Sequence, residues 1–232
     1  FIMSLMKTPN NDEVYILDNY NSYIYFMIDD INYAKSNKKR LLNTNVGKYS
    51  ITKPYQVKWI KSTIIEYFKS IKKNTKYMNI IDANAGVGGD TISFSKYFMN
   101  VYGIEKNDIH YNVLENNVKA LNLDNVNLFH GNFMKVIYDE HINNNKNILY
   151  MDPPWGGPDY KKQEKVNLEI ELDKPNEMLL HDVINKFFNS FDIIILKSPI
   201  NLNFDKKLFL YKNITQKIDP ENKILIIIFN KF

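Results

Sequence analysis

Short apolar runs alternate with amphipathic segments through most of this chain, and this alternation is the strongest constraint on its fold. From about residue 76, seven runs are predicted as strands: 77–81, 101–104, 126–129, 147–151, 191–196, 208–214 and 223–229. Helical spacing marks 90–98, 109–121, 133–138 and 177–188. Strands that alternate with helices form a parallel sheet covered on both faces. The closing pair of strands places one antiparallel strand near an edge. We predict an α/β, Rossmann-like domain with a seven-stranded, mostly parallel sheet.

The first 70 residues differ in composition from the rest. Aromatic side chains gather between residues 15 and 26, and a basic run spans 35–40. Apolar residues at 57, 60, 64 and 68 have helical spacing. We predict an N-terminal extension over 1–70, partly helical, that contributes to the binding sites, and a core domain over 71–232.

Composition excludes several classes of protein. The chain has no Cys and only four His, which excludes a disulfide scaffold and argues against a metal site. No apolar stretch approaches the roughly 20 residues that span a bilayer, and no signal-peptide pattern opens the chain. We therefore expect an intracellular protein with neither metal nor membrane partner. The net charge of +4 permits an anionic partner without demanding one.

A glycine-rich segment follows the first predicted strand, at 82–91, and reads Asp-Ala-Asn-Ala-Gly-Val-Gly-Gly-Asp-Thr. Glycines let the backbone turn sharply and approach a ligand closely. Glu105, at the end of the second strand, can accept both hydroxyls of a ribose. An acid precedes the glycines and no phosphate-binding Lys follows them, which suits an ammonium or sulfonium better than a pyrophosphate. We predict S-adenosylmethionine, with a structural turn as the alternative. The predicted contacts are Asp82, Asn84, Ala85, Gly86, Gly88, Thr91 and Glu105, with Asn132 at the adenine edge and Phe133 at its face.

A second loop, at 152–160, follows the apolar strand 147–151 and reads Asp-Pro-Pro-Trp-Gly-Gly-Pro-Asp-Tyr. Its prolines fix φ and remove N–H donors, so the turn presents carbonyl acceptors in a stiff geometry. Its indole offers a flat base a stacking surface. Such a turn can hold an exocyclic amine beside a methyl donor. We predict catalytic roles for Asp152, Pro153 and Trp155, although Trp155 could instead be a packing aromatic.

Together, the two loops resemble those of the trimethylguanosine synthase family of RNA cap methyltransferases. The likeness covers roughly 45–200 and includes Gly47–Thr52 upstream of the core. It implies a class I S-adenosylmethionine-dependent methyltransferase fold and methyl transfer to the exocyclic amine of a 7-methylguanosine cap. Capped RNA would be the partner. We expect a monomer in the nucleus or cytoplasm of a eukaryote, or in a cytoplasmic viral factory.

The resemblance also implies roles for individual residues. Trp155 would stack on the methylated base, Tyr160 would contact the cap phosphates, and Ser50 and Thr52 would contact the donor. Methylation makes guanine cationic, so the indole adds a cation–π term of roughly 0.5–2 kcal/mol to about 1–3 kcal/mol of stacking. Asp152 and the Pro153 carbonyl could draw the amine protons, and Asp152 could take the released proton.

The chain departs from the family at several positions. Animal members carry a small hydroxyl residue where Asp152 stands, and Ile200 occupies the place of an Arg before Asn201. We predict that Lys197 supplies the missing phosphate charge and that Tyr25 covers the second face of the base, unless it is ordinary core. A path for RNA phosphates is predicted at lysines 161, 162 and 165 and at 38–40, which could equally form a solvated face.

Two other functions stay open. One is an amine methyltransferase of the Asp-Pro-Pro-Trp type that acts on tRNA, rRNA or DNA. The other is an inactive cap-binding module, against which the intact Asp82, Gly86, Glu105 and Asp152 argue.

Overall fold

The computed structural model describes residues 12–17, 24–26, 40–140, 142, 147–171 and 177–232. Its central sheet has seven strands in the order β10-β11-β9-β6-β3-β4-β5. A pair near the N-terminus and a pair beside the second loop are separate two-stranded sheets. The strands are β1 (Val14–Ile16), β2 (Leu42–Thr44), β3 (Asn79–Asp82), β4 (Asn100–Glu105), β5 (Val126–His130), β6 (Asn147–Met151), β7 (Glu169–Glu171), β8 (Glu177–Leu179), β9 (Ile193–Pro199), β10 (Asn213–Asp219) and β11 (Ile224–Asn230).

One strand of the central sheet, β11, runs antiparallel to both of its neighbours, and the remaining pairs are parallel. The prediction of a mostly parallel seven-stranded sheet with one antiparallel strand near the edge is confirmed. Because the parallel strands share a direction, their carboxyl ends meet at a single edge, which is where ligands bind in such sheets.

Six α-helices lie in the described ranges: α1 (Gly47–Ser50), α2 (Pro54–Ser70), α3 (Gly89–Phe94), α4 (Asp108–Ala120), α5 (Phe133–Asp139) and α6 (Leu180–Lys186). Helix α2 begins with Pro54, whose fixed φ suits a first helical position, and α4 begins where the Asn107 side chain accepts from two backbone N–H groups. None of the described helices is both long and apolar enough to cross a membrane.

Both faces of the sheet are covered. Helix α2 places Ile60, Ile64 and Phe68 in one cluster with residues of β3, β6, β9 and β11. On the other side, α5 and α6 pack Ile137 and Val183 into a second cluster. Although α2 belongs to the predicted extension, it buries its apolar side on the sheet. The boundary at residue 70 stays a prediction.

Several element bounds differ from those predicted. The strand predicted at 208–214 lies at 213–219, because Phe209 and Tyr211 pack around Phe229 ahead of it. The segment 177–188 begins as a strand, and its helix covers only 180–186. The helix predicted at 90–98 is 89–94. Strand β9 extends three residues beyond the predicted 191–196, which places Lys197 inside the sheet. Of the predicted N-terminal features, Tyr20, Tyr23 and 35–39 lie outside the described residues.

Candidate active site

Four of the predicted site residues converge at the carboxyl edge of the sheet. Asp82 ends β3 and Glu105 ends β4. Asp152 directly follows β6, and Lys197 lies near the end of β9. The segment 82–91 is called the glycine loop below, and 152–160 the Pro-Pro loop. Because β9, β6, β3 and β4 are consecutive in the sheet, these two loops lie side by side although some 60 residues separate them in sequence.

A buried ion pair stabilises the Pro-Pro loop side of the site, which is called the acceptor side; the side of the glycine loop is called the donor side. Lys197 Nζ donates to Asp152 Oδ2 at 2.5 Å and to Thr52 Oγ1 at 2.6 Å. The Lys197 side chain is 4% exposed, whereas Asp152 retains 17%. The Asp152 carboxylate is therefore partly exposed where the two loops meet, a space that is called the cleft below, while its counterion Lys197 lies beneath it.

Asp90 extends this network under the cleft. Its Oδ2 accepts from Thr52 Oγ1 at 2.7 Å and from the Tyr150 hydroxyl at 3.0 Å, and lies 3.6 Å from Lys197 Nζ. Its Oδ1 is buried without a hydrogen-bond partner. Sequence reasoning missed the roles of Asp90 and Tyr150, since no local pattern reveals contacts with partners 38 and 60 residues away.

The predicted role of Lys197 at the cap phosphates is corrected by this geometry. A buried ammonium that is bonded to Asp152 and Thr52 is not available as a surface cation for phosphate. Its Nζ also lies 5.6 Å from the centre of the Trp155 ring, which places a positive charge beside the predicted stacking surface.

Burial and charge set the ionisation of the pair. Burial raises the pKa of Asp152 to about 6, although Lys197 opposes the shift and Asp90 adds to it. For Lys197, burial lowers the pKa, but Asp152 and Asp90 more than offset it, so the net shift is upward. Asp152 is therefore a carboxylate above about pH 6 and Lys197 an ammonium at neutral pH.

Two aromatic rings meet in the Pro-Pro loop. Trp155 is half-buried, and Tyr160 contacts it edge-to-face with the ring centres 5.2 Å apart and the planes at 90°. The indole Nε1 is buried, and its N–H is directed at the Asp152 carboxylate, which partly offsets the rise in the pKa of that group. Gly156 and Gly157 have φ of +83° and +71°, values that favour glycine and that let the chain turn back after the indole.

Asn201 also needs correction. Its Nδ2 donates to the carbonyls of Tyr160 at 3.0 Å and Gln163 at 2.8 Å. Both amide hydrogens are thus committed to the loop, and Asn201 holds the loop against the end of β9 instead of donating to the predicted cap ligand. Pro153 is buried at the start of this loop and Pro154 is exposed.

On the donor side, Glu105 fixes the glycine loop. Its Oε2 accepts from the Gly86 N–H and its Oε1 from the Asn107 N–H, each at 2.8 Å. A carboxylate has about four lone-pair sites, so both oxygens can still accept a ribose hydroxyl. Gly86 has a φ of +54° and open space where a side chain would project. The Ala85 N–H donates to Ile104, which ties the loop to β4.

Asp82 is buried inside the loop. Its Oδ2 accepts from Thr91 Oγ1 at 2.6 Å and its Oδ1 from the Asn84 N–H at 3.4 Å. Burial, reinforced by Asp90, raises the pKa of Asp82 to about 8. Asp82 and Thr91 thus hold the loop through these bonds, and their predicted contact with the donor stays a prediction.

The other predicted contacts differ in where their side chains lie. Phe133 is buried and packs near Phe187, because Asn132 caps α5 and turns the next side chain into the core; its predicted adenine contact is therefore corrected. Ser50 is exposed and donates to the Val46 carbonyl, which leaves Thr52 as the network residue. Tyr25 is half-buried, with Lys53 Nζ 5.2 Å from its ring centre, and its place over the base stays a prediction.

The site fits S-adenosylmethionine. Next to the open space at Gly86, Asn84 Oδ1 is buried and lacks a hydrogen-bond partner. Unpaired buried acceptors are costly unless a ligand or water satisfies them. Residues of the glycine loop and Glu105 would hold the donor. In the described ranges, no group of three or more metal-ligating side chains occurs.

Comparison with known proteins matches the core to one family. Residues 76–231 match the RNA cap guanine-N2 methyltransferase family. An uncharacterized protein of Acanthamoeba polyphaga mimivirus is 36% identical over 166 residues, which are 71% of this chain and 62% of that protein. The trimethylguanosine synthase of Saccharomyces cerevisiae is 25% identical over 210 residues, which are 88% of this chain and 64% of that protein. The chain thus spans a little under two thirds of the length of these relatives.

Solved structures share the fold. A precorrin-6y C5,15-methyltransferase of Geobacter metallireducens has a TM-score of 0.51 at 15% identity, covering 80% of this chain and 92% of that chain. A hypothetical protein of Thermus thermophilus has a TM-score of 0.53 at 10% identity, covering 77% and 86%. The predicted class I methyltransferase fold is confirmed, and the family match supports the predicted S-adenosylmethionine. Because that match covers more than half of its length, the chain belongs to the RNA cap guanine-N2 methyltransferase family.

Proposed function

We propose that this chain transfers a methyl group from S-adenosylmethionine to the exocyclic amine of a 7-methylguanosine RNA cap, giving di- or trimethylguanosine. The observation that carries the proposal is the Asp152 carboxylate, which is partly exposed beside Trp155 and is held from below by Lys197. The bound donor supplies an electrophilic methyl on a sulfonium. The residues of the chain align the amine and receive its proton.

Asp152 is suited to act on the amine. A guanine amine is a poor nucleophile because its lone pair is delocalised into the ring. A carboxylate that accepts its N–H aligns the nitrogen and can take the proton released by transfer. Lys197 fixes the direction of that carboxylate through a 2.5 Å hydrogen bond, so Lys197 is a positioning residue.

The charge of the network favours a cationic base. Two carboxylates, Asp152 and Asp90, lie beside the single ammonium of Lys197. One formal negative charge is left under the acceptor side. A guanine made cationic by N7 methylation gains from that charge, and in a poorly hydrated site the attraction is stronger than in water. This supports 7-methylguanosine over guanosine.

The Pro-Pro loop contributes to binding in the same proposal. Trp155 would stack on the base, and Tyr160, which packs edge-on against it, would keep the indole oriented. The capped RNA partner, the monomeric state and the nuclear, cytoplasmic or viral-factory location remain predictions. The similarity to a mimivirus protein supports the last of these locations.

Mass spectrometry of matched substrates tests the proposal. The enzyme and donor are incubated with 7-methylguanosine-capped RNA and, in parallel, with the same RNA uncapped and with single-stranded DNA. The expected result is a gain of one or two methyl groups on the capped base alone. Modification of uncapped RNA or DNA would transfer the assignment to the broader class of nucleic-acid amine methyltransferases. Donor uptake without any product would indicate a binding module.

A further inference from the structure

The segment 46–65, which contains α1 and the first two thirds of α2, concentrates positive charge. It holds four lysines, at 48, 53, 58 and 61, and no Asp or Glu. Its formal charge therefore equals the +4 of the entire chain. In a Lys-rich chain the number of lysines is ordinary, but the lack of any acid over twenty residues is not, since the rest of the chain holds as many acids as bases.

This segment also exposes aromatic rings. Tyr49 on α1 is 83% exposed and Tyr55 in the first turn of α2 is 58% exposed. Lys58 is exposed three residues after Tyr55, a spacing that places two side chains together on a helix. We call Lys48, Tyr49, Lys53, Tyr55 and Lys58 the α1–α2 surface.

The α1–α2 surface lies at the rim of the cleft. Thr52, midway between Tyr49 and Tyr55, is bonded to both Asp90 and Lys197. The backbone of Thr52 also lies about 3 Å from where a side chain on Gly89 would begin. The α1–α2 surface is therefore one of the surfaces that border the cleft.

Two of the lysines are held in place. Lys48 Nζ lies 4.4 Å from the centre of the Tyr15 ring, and Lys53 Nζ lies 5.2 Å from that of Tyr25. Such cation–π contacts restrict long side chains, so less entropy is lost when a phosphate binds. Two acids border the surface: Asp12, which accepts from the Val46 N–H at 2.9 Å and pairs with His110, and Glu13, whose carboxylate accepts from Asn45 at 3.5 Å.

We infer that the α1–α2 surface binds the first nucleotides of single-stranded RNA that follow the cap. Exposed aromatic rings among fixed cations are what a single strand requires, since its bases stack on rings and its phosphates pair with lysines. The inference rests on the proposed function, since it takes the base in the cleft to be the end of an RNA.

The lysines after the Pro-Pro loop offer a weaker path. Lys162 pairs with Asp159 at 2.7 Å, and Glu164 lies between Lys162 and Lys165 in sequence. Charges that are already paired release fewer counterions on binding RNA. Of the predicted run at 38–40, only Arg40 is described, and it is exposed.

The test compares the affinities of two probes for the wild type and for one double variant. The affinities of 7-methylguanosine diphosphate and of a short capped oligoribonucleotide are measured for the wild type and for Tyr49→Ala/Tyr55→Ala. The expected result is at least a tenfold loss for the oligonucleotide, from about 1–3 kcal/mol per stacked base, with the mononucleotide unchanged. Tyr77→Ala is the matched control, because Tyr77 is 79% exposed but precedes β3, at the opposite edge of the sheet.

A salt series adds an independent readout. Lys58→Gln should reduce the slope of log affinity against log salt for the oligonucleotide by about 0.7, the value for one lost phosphate contact on a single strand. Equal oligonucleotide affinity in the double variant and wild type would overturn the inference. Failure of the enzyme to modify either probe would instead remove the proposed function.

Discussion

The two sides of the cleft are held by different parts of the chain. On the donor side, backbone N–H groups of Gly86 and Asn107 fix Glu105, and partners lie within about 20 residues of one another. On the acceptor side, side chains make the connections: Lys197 bonds Thr52 across 145 residues and Asp152 across 45.

This contrast has a physical consequence. A loop fixed by its own backbone tolerates changes in distant side chains, whereas a buried ion pair depends on both of its partners. Variants on the acceptor side should therefore leave donor binding intact, and a loss of donor affinity in such a variant would break this comparison.

The largest effect is expected for Asp152→Asn. The amide keeps an oxygen for Lys197 but cannot take a proton, so kcat should fall by about 10²–10⁴-fold, the usual contribution of a general base. Calorimetry should show unchanged donor affinity. Wild-type kcat in this variant would remove Asp152 from the chemistry.

The pH dependence of kcat/KM is a second test of the catalytic role of Asp152. Because burial raises the pKa of Asp152 to about 6, the carboxylate is lost as pH falls through that value. In the wild type, kcat/KM should be level above about pH 7 and should decline about tenfold per unit well below pH 6. A rate that stays level down to pH 5 would contradict a catalytic carboxylate.

Lys197→Met should have the next largest effect, which is a loss of stability. It leaves the buried Asp152 and Asp90 without their cation, and breaking a buried pair typically costs about 3–5 kcal/mol. Urea unfolding measures the loss, and the acidic limb of kcat/KM should move to higher pH because the ammonium no longer opposes protonation of Asp152. The exposed Lys161→Met is the control and should stay within about 0.5 kcal/mol of the wild type.

Trp155→Ala should have a smaller effect, confined to the acceptor. Loss of stacking, about 1–3 kcal/mol, should weaken binding of 7-methylguanosine diphosphate by one to two orders of magnitude. Trp59→Ala, which removes the other tryptophan of the chain from the flank of α2, should leave that affinity unchanged. An unchanged affinity in Trp155→Ala would reject the stacking role.

The smallest effect is expected for Gly86→Ala on the donor side. A non-glycine residue at φ +54° costs roughly 1–2 kcal/mol, and the added methyl enters open space, so the protein should fold while its donor affinity falls. Gly88→Ala should destabilise more, because its methyl would begin 2.8 Å from Leu114. Thermal unfolding with donor titration separates the two, and equal stability in both variants would count against the close packing at Gly88.

The same contrast explains what the sequence could reveal. Glycine spacing and the acid at the end of β4 are local patterns, so the glycine loop and Glu105 could be predicted directly. The apolar run of β6 and the Pro-Pro turn likewise predicted where Asp152 lies. The Lys197 pair could not be predicted, because apolar periodicity set the end of β9 at Leu196 and gave no sign that the strand continues through a buried charge.

Other errors have the same origin. Phe133 follows a helix-capping Asn, and sequence alone does not show whether such a ring faces a ligand or the core; packing near Phe187 decided it. The apolar run at 208–211 predicted a strand, but tertiary contacts with Phe229 placed its aromatic rings in a loop ahead of β10.

The proposed function requires a cationic guanine whose amine meets Asp152 next to Trp155. Single-turnover transfer tests it most directly, with 7-methylguanosine diphosphate and guanosine diphosphate competing in one reaction and tandem mass spectrometry locating the methyl group. The expected result is a methyl group on the exocyclic amine of the N7-methylated nucleotide and a far slower reaction of guanosine diphosphate. Equal transfer to both nucleotides, or methyl found at any other atom, would contradict it.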